Sequence, residues 1–317
     1  WLQAGLDVSR KQQDKFTAAQ ILYNLANNAG MKGNFAEDER LTRESLALYK
    51  ELGNEAGVGI VLGMLANTVL ALGRWDEASA MYQESIELCQ KYGLSTYAFR
   101  QSCALAVGQL YQGEYDSANQ RAQEWLAVEI ENKPIQTTYH GLLYVILGAV
   151  AIVQGQYDQA KETLNYGISQ TENEFFPGAT LRVLQTLLAI SLIQLGQMAS
   201  ARHQLLEILY ALEGKPIGQL KWVLSATSLY LARRGLAQQA LTIWTATRRF
   251  SLAANSRLFA DLFGKSLAVA AASLPVETIR SAEPELGEKD LWQTAVSLLQ
   301  KSEQELVNQH RFVDQDQ

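Results

Sequence analysis

Glycine recurs in this chain at positions 33, 73, 113, 155, 196 and 235, at intervals of 40, 40, 42, 41 and 39 residues. The same residue types return around each one. Two positions later stand Phe35, Trp75, Tyr115, Tyr157, Met198 and Ala237, and five positions later Asp38, Ala78, Ala118, Ala160, Ala201 and Ala240. Eight positions before stand Leu25, Leu65, Leu105, Leu147, Leu188 and Thr227. Seven before stand Ala26, Ala66, Ala106, Gly148, Ala189 and Ser228. A fixed period of this length is the mark of stacked supersecondary units, each burying its apolar face against its neighbours. Residues 57–93 show the unit most clearly: one helix up to Leu72, a turn at Gly73, and a second helix from near Trp75. A turn that needs φ > 0 suits a residue without a Cβ. Ala66 and Ala78, one on each helix, let the two axes approach closely.

At these columns the chain resembles a tetratricopeptide repeat. GRWDEASAMY, GEYDSANQRA and GQYDQAKETL carry the likeness, with Gly then an aromatic at the turn and Ala on the second helix. Two features depart from the family: a unit of about 40 residues where the family has 34, and no proline closing the second helix. The fold expected from the resemblance is an all-α, right-handed α-solenoid of about six helix-turn-helix repeats with a C-terminal helical cap. The array is expected over 15–250. Residues 1–14 are expected to be the second helix of a preceding unit, with Trp1, Leu2 and Leu6 as its apolar stripe; 251–312 the cap; and 313–317 a disordered tail.

Composition sets outer limits. The 317 residues are 48% apolar with a net charge of −6 and only 5 prolines, as suits a helical chain with a large core. Clustered Lys and Arg are what neutralise phosphates. Beyond Arg233-Arg234 and Arg248-Arg249 there is no basic run, so no direct nucleic-acid binding is expected. Cys89 and Cys103 form no disulfide framework or metal spacing and read as buried free thiols of a cytoplasmic protein. The most apolar run, Leu142–Val153, is too short for a membrane span, which takes about 20 residues. No membrane association is expected.

Gly53-Asn54 and Gly93 are read as helix stops between units. Lys133-Pro134, Phe175-Phe176-Pro177-Gly178 and Gly214-Lys215-Pro216 are read as connectors. Trp125 stands where neighbouring units have Ser45 and Ser85, which predicts a local change in packing. Past Arg249 the register is lost. Short helices are expected over Leu252–Phe263, Lys265–Ser273 and Pro275–Ala282, then one long amphipathic helix over Leu291–Phe312.

The sequence holds no phosphate-binding loop, nucleophile elbow, HExxH or CxxC. Its three histidines, His140, His203 and His310, fall on unrelated elements. No catalysis, cofactor or metal is expected. What remains is a surface. In the architecture the chain resembles, first helices line a concave face at positions thirteen, ten, six and two before the turn glycine. The candidate groove residues are Tyr23, Asn27 and Met31 in the first unit, Asn67 in the second, and Arg100, Cys103 and Tyr111 in the third. Val145 follows in the fourth, Thr186 and Gln194 in the fifth, and Trp222 and Arg233 in the sixth. Asn27 and Asn67 share one column. The resemblance implies that an amide here bonds the backbone of a bound peptide, donating and accepting; a solvated or helix-capping role is the alternative. Tyr23, Gly63 and Cys103 stand where chaperone-binding members carry a lysine, so a terminal-carboxylate clamp is not expected.

The phrases LTRESLALYKELGN and YQESIELCQKYG also resemble the C-terminal helical sensor arrays of bacterial signal-transduction NTPases and large transcriptional activators. That likeness implies a sensor that binds a protein or peptide partner, or a small-molecule inducer, with the nucleotide switch elsewhere in a longer chain. A stand-alone scaffold joining two partners is the alternative.

Overall fold

The computed structural model describes residues 1–132, 140–172, 178–214, 220–249, 251–275 and 288–313, with side chains left aside at 128–132, 251–252, 288–289 and 303–313. Every regular element among them is helical, and the chain divides into two compact units, 1–139 and 140–317.

Unit 1 is a run of helices cut to one length. They are α1 (Leu2–Lys11), α2 (Lys15–Met31), α3 (Phe35–Glu51), α4 (Glu55–Ala71), α5 (Trp75–Lys91), α6 (Ser95–Gln112) and α7 (Tyr115–Asn132). The cut comes from a three-residue turn every twenty residues, with positive φ at Gln13, Gly33, Gly53, Gly73, Gly93 and Gly113. At Gly33 the closing bonds are Gly33 N–H to the Gly30 carbonyl, 2.9 Å, and Asn34 N–H to the Ala29 carbonyl, 3.0 Å. This is the Schellman arrangement, which satisfies the last helical carbonyls through one left-handed residue. The next helix starts at once. Asp14, Asn34 and Asn54 each accept a bond from a backbone N–H three residues on, which caps α2, α3 and α4. The forty-residue period is therefore two twenty-residue steps, and α1 runs into the same turn as α3 and α5. Leu6 and Ser9 of α1 are buried, Leu2 is half-buried and Trp1 lies fully in solvent.

Within a pair, small residues hold the helices close. Ala66, Ala78 and Leu65 are fully buried, as are Ala26, Ala106 and Ala118 in the same columns. Second helices are tied back to the first helix before them by a repeated bond: the Ser45 hydroxyl donates to the Ala19 carbonyl at 2.8 Å, and Ser85 to the Gly59 carbonyl at 2.6 Å. In the third pair Trp125 fills that column. Its indole N–H donates to the Ser102 hydroxyl at 2.8 Å and its ring meets Phe99 edge-on, centroids 4.8 Å apart. A ring contact and an indole bond stand where the first two pairs have the serine-to-backbone bond.

Asp38 occupies the alanine column and is just as buried. Its oxygens accept from the hydroxyls of Thr42, 3.0 Å, and Thr68, 2.7 Å, and burial pushes its carboxyl above the usual range. Gly30 makes the room, since a Cβ there would lie 2.5 Å from Asp38 Oδ2.

Unit 2 repeats the pairing with α8 (His140–Val153) on α9 (Tyr157–Thr171), α10 (Gly178–Gln194) on α11 (Met198–Ala211), and α12 (Lys221–Arg233) on α13 (Ala237–Thr247). Turns at Gly155, Gly196 and Gly235 have φ of 77°, 74° and 77°. Gly148 replaces alanine in its column because Leu164 presses in, and a Cβ there would lie 2.7 Å from Leu164 Cγ.

Past the array the structure differs in detail from the sequence expectation. The piece expected over Leu252–Phe263 is interrupted at Ser256, whose hydroxyl accepts from Phe259 N–H at 3.3 Å and starts a new helix. Among the described residues α13 is followed by α14 (Ser251–Asn255), α15 (Arg257–Phe259), a π-turn (Ala260–Gly264) and α16 (Lys265–Ala272). The long helix α17 (Glu288–Val313) starts three residues earlier than expected and includes Val313. It packs on α11, α12 and α13 through Leu291, Ala295 and Leu299. Trp292 donates to the Leu209 carbonyl at 2.8 Å. Lys133-Pro134, Phe175-Phe176-Pro177, Lys215-Pro216, most of Pro275–Ala282 and 314–317 lie outside the described residues.

Candidate functional site

In unit 1 the first helices α2, α4 and α6 follow one another, and a cavity of about 380 Å3 opens on them. Gln20, Tyr23 and Asn24 of α2, Gly57, Ile60 and Val61 of α4, Tyr97 of α6 and Tyr49 of α3 line it. Gly57 lets Tyr49 reach it across α4, since a Cβ there would stand 2.6 Å from Tyr49 Cε1. Tyr49 is buried, which raises its phenol pKa, and it meets Phe16 edge-on at 6.1 Å. The Arg100 guanidinium stacks over the Tyr97 ring, 4.9 Å from its centroid. No lining residue carries a carboxylate, imidazole, thiol or amine. The wall consists of three phenols, two side-chain amides and aliphatic carbon.

The two column asparagines have different surroundings. The Asn67 amide donates to the Gly63 carbonyl at 2.9 Å, and its oxygen accepts from the Tyr82 hydroxyl at 2.7 Å. Tyr82 is fully buried, and burial raises its pKa. In the first pair the Tyr82 column holds Thr42, whose hydroxyl is committed to Asp38. Asn27 is accordingly left exposed, with no hydrogen bond from its amide to any described residue.

The remaining candidates divide by burial. Met31 is 79% exposed. Tyr111 is half-buried, with its ring 5.7 Å from that of Trp75. Cys103, Val145, Thr186 and Trp222, expected to face a groove, are buried instead. For the first three the cause is the column ten before the turn glycine. With Gly63 it is the seam where successive first helices touch: α4 on α6, and α10 on α8 and α12. Trp222 is covered by Phe259, ring centroids 4.6 Å apart. Gln194 and Arg233 are brought together in unit 2, where the guanidinium donates to the amide oxygen and both line a cavity of about 510 Å3.

Tyr49 and Tyr97 were not candidates from the sequence. Tyr49 sits on a second helix and Tyr97 in the first turn of α6, off the assumed columns. The signal for Tyr49 was Gly57, since a glycine inside a helical pattern marks a close approach. Among the described residues no grouping of His, Cys, Asp and Glu could hold a metal ion, and no helix is long and apolar enough to cross a membrane. Neither cysteine forms a disulfide, both are buried, and burial raises the Cys89 thiol pKa.

Residues 17–91, which span α2 to α5, match the tetratricopeptide repeat family. No curated protein matches the sequence. Among solved structures the chain is similar to BtubC (BKLC) from P. vanneervenii, with 19% identity over 68% of this chain and 91% of that one and a TM-score of 0.53. Weaker likenesses are to a putative kinesin light chain with nearly identical TPR-like repeats from Podosopora anserina (17%, 60% and 92%, TM-score 0.46) and to the apo form of RapI (10%, 87% and 96%, TM-score 0.44).

Proposed function

We propose that the chain is a non-catalytic, cytoplasmic binding array that takes an extended protein or peptide segment along α2, α4 and α6. The observation that carries this is the uncharged, tyrosine-rich cavity of unit 1. An extended segment needs backbone donors and acceptors met, with alternate side chains housed in apolar pockets. Gln20 and Asn24 in the cavity supply amides, although Asn24 already donates to the Gln20 carbonyl at 3.0 Å, and the exposed Asn27 lies one turn further along α2. Tyr23, Tyr97 and Ile60 supply rigid contact area, and aromatic anchors of this kind carry most of the energy at interfaces. A cavity without titratable side chains other than phenols gives acid–base chemistry little to work with.

The larger context we propose follows the resemblance of the second-helix phrases: the array is the sensor part of a bacterial signal-transduction regulator. The second reading, a scaffold holding two partners, draws support from the presence of a separate cavity in each unit.

Peptides selected from a random display library against the whole chain test the binding reading. Tyr97→Ala and Asn27→Ala should each weaken the selected peptides about tenfold or more, since a lost aromatic anchor costs at least about 2 kcal/mol at a hot spot. Selected peptides that bind both variants as tightly as the parent would refute it.

A further inference from the structure

One side of the run 257–273 lines a cavity and mixes exposed with core residues: Lys265 and Val269 are exposed, Leu262 and Ala270 buried. Asp261, Leu262, Lys265, Ser266, Val269, Ala270 and Ser273 recur at spacings of one, three and four, so they share a side, and all of them line the 510 Å3 cavity of unit 2. Opposite them stand the ends of α10 and α12, with Gln194 and Arg233, and Tyr157 at the start of α9. The inward side is fixed by rings: Phe259 meets Trp222 at 4.6 Å and Phe263 meets Trp244 at 5.8 Å. Between those sides lies the π-turn Ala260–Gly264. Such turns cost helix stability and are found mostly where a function retains them.

The charges in this cavity do not cancel. Asp261 is held by Arg257, 3.0 Å away. Arg233 donates to a neutral amide, and neither it nor Lys265 is ion-paired with a described residue. Both are exposed, and they share the cavity with apolar carbon, including Val269 at 69% exposure. Two cations beside the exposed Val269, with the edges of Leu262 and Ala270 behind it, match a molecule with one anionic end and a short hydrocarbon tail. The volume lies within the range that holds small ligands.

We infer that this cavity is a binding site for a small amphipathic carboxylate, its head on Arg233 and Lys265 and its tail along Leu262 and Val269. A guanidinium offers a carboxylate two parallel N–H donors, and the ammonium adds a point charge. The site belongs to unit 2 alone and is independent of peptide binding in unit 1.

Hexanoate is the probe, titrated into the whole protein by calorimetry, with 1-hexanol and acetate as its uncharged and tail-less counterparts. Hexanoate should bind saturably at one site, and each counterpart at least about tenfold more weakly. Arg233→Gln and Lys265→Gln remove exposed side chains and should leave the fold intact by circular dichroism. Each should weaken hexanoate about tenfold, the size expected for a hydrogen bond to a charged group. Val269→Asp should abolish binding, and Tyr97→Ala should leave it unchanged. Absence of saturable binding would overturn the inference. So would equal binding of 1-hexanol, or full affinity in the folded Arg233→Gln and Lys265→Gln variants.

Discussion

Replacing Gln101 by methionine should make the protein more stable. Gln101 lies on α6 with no exposed surface, and neither its amide nitrogen nor its amide oxygen has a hydrogen-bond partner among the described residues. Burying an amide without compensating bonds costs roughly 1–3 kcal/mol in proteins. Methionine has nearly the same length and volume, and a volume-conserving core exchange costs under about 1.5 kcal/mol. The balance is a gain of about 1–2 kcal/mol, read as a higher urea midpoint at unchanged slope. Gly63 supplies the internal control. A Cβ added there would stand 2.7 Å from Gln101 Oε1 and closer still to Nε2, so the fully buried amide would have to shift within the core. Gly63→Ala should therefore destabilise despite the roughly 1 kcal/mol that alanine gains over glycine in a helix. In a Gln101→Ala background the clash is gone and the helix gain should reappear, giving a coupling of at least about 1 kcal/mol between the two sites. A loss above about 1 kcal/mol in Gln101→Met, or strict additivity of Gly63→Ala and Gln101→Ala, would refute the reasoning. Either result would mean that the amide is bonded and the contact slack.

Asp38 should make stability depend on pH in the sense opposite to an ion-paired carboxylate. Its pKa is raised on folding by burial, so its contribution is fully present below the unfolded value and is lost as pH rises through the folded one. The stability of the parent relative to Asp38→Asn should increase as pH falls from neutral towards 4, roughly the unfolded value; a flat difference across that range would contradict this. Leu65→Ala should cost about 2–5 kcal/mol, because Leu65 is fully buried in its pair; chemical denaturation returning less than about 0.5 would contradict the packing. Gln13 has φ of 57° where Gly53 and Gly93 stand in later turns, so Gln13→Gly should raise the thermal midpoint through a gain of about 1 kcal/mol, and a fall would disprove strain at that turn.

The array was legible because its causes are local and repeated. Turn glycines, the aromatic two residues on and the small residues on facing helices recur at fixed offsets, and each has the structural role its type implies. The finer period of twenty was harder to see. Gly53 and Gly93 read as helix stops, but Gln13 fills the same turn without being glycine, and only the backbone reveals it. Asp38 read as a lapse in the alanine column. Its compensation lies in Gly30, Thr42 and Thr68, residues ordinary in themselves and distant in sequence. The groove was read less well. A helix in a stack buries more of its circumference than an amphipathic stripe suggests, so the column of Cys103, Val145 and Thr186 became a seam between helices.

This contrast separates the residues that build the array from those available to a ligand. A side chain that recurs in every unit is held by the packing that makes units alike, as with Ala78, Ala118 and Ala160. It cannot confer specificity, because every unit would then bind the same thing. Specificity has to come where the repeat is broken without a compensating internal partner. Asp38 breaks its column but is satisfied from within by two threonines. Asn67 keeps its column but is tied to Tyr82, while Asn27, one unit earlier, lacks that tyrosine and its amide stays open to solvent. Tyr49 and Tyr97 lie off the repeat columns and line the cavity on the first-helix face of unit 1. Asn27 and Tyr97 are the side chains here that the packing of the stack leaves least occupied, while Tyr49 gives most of its ring to the core and only an edge to the cavity. A break in the repeat whose side chain stays open distinguishes a surface kept for a partner from a surface left over by the stack.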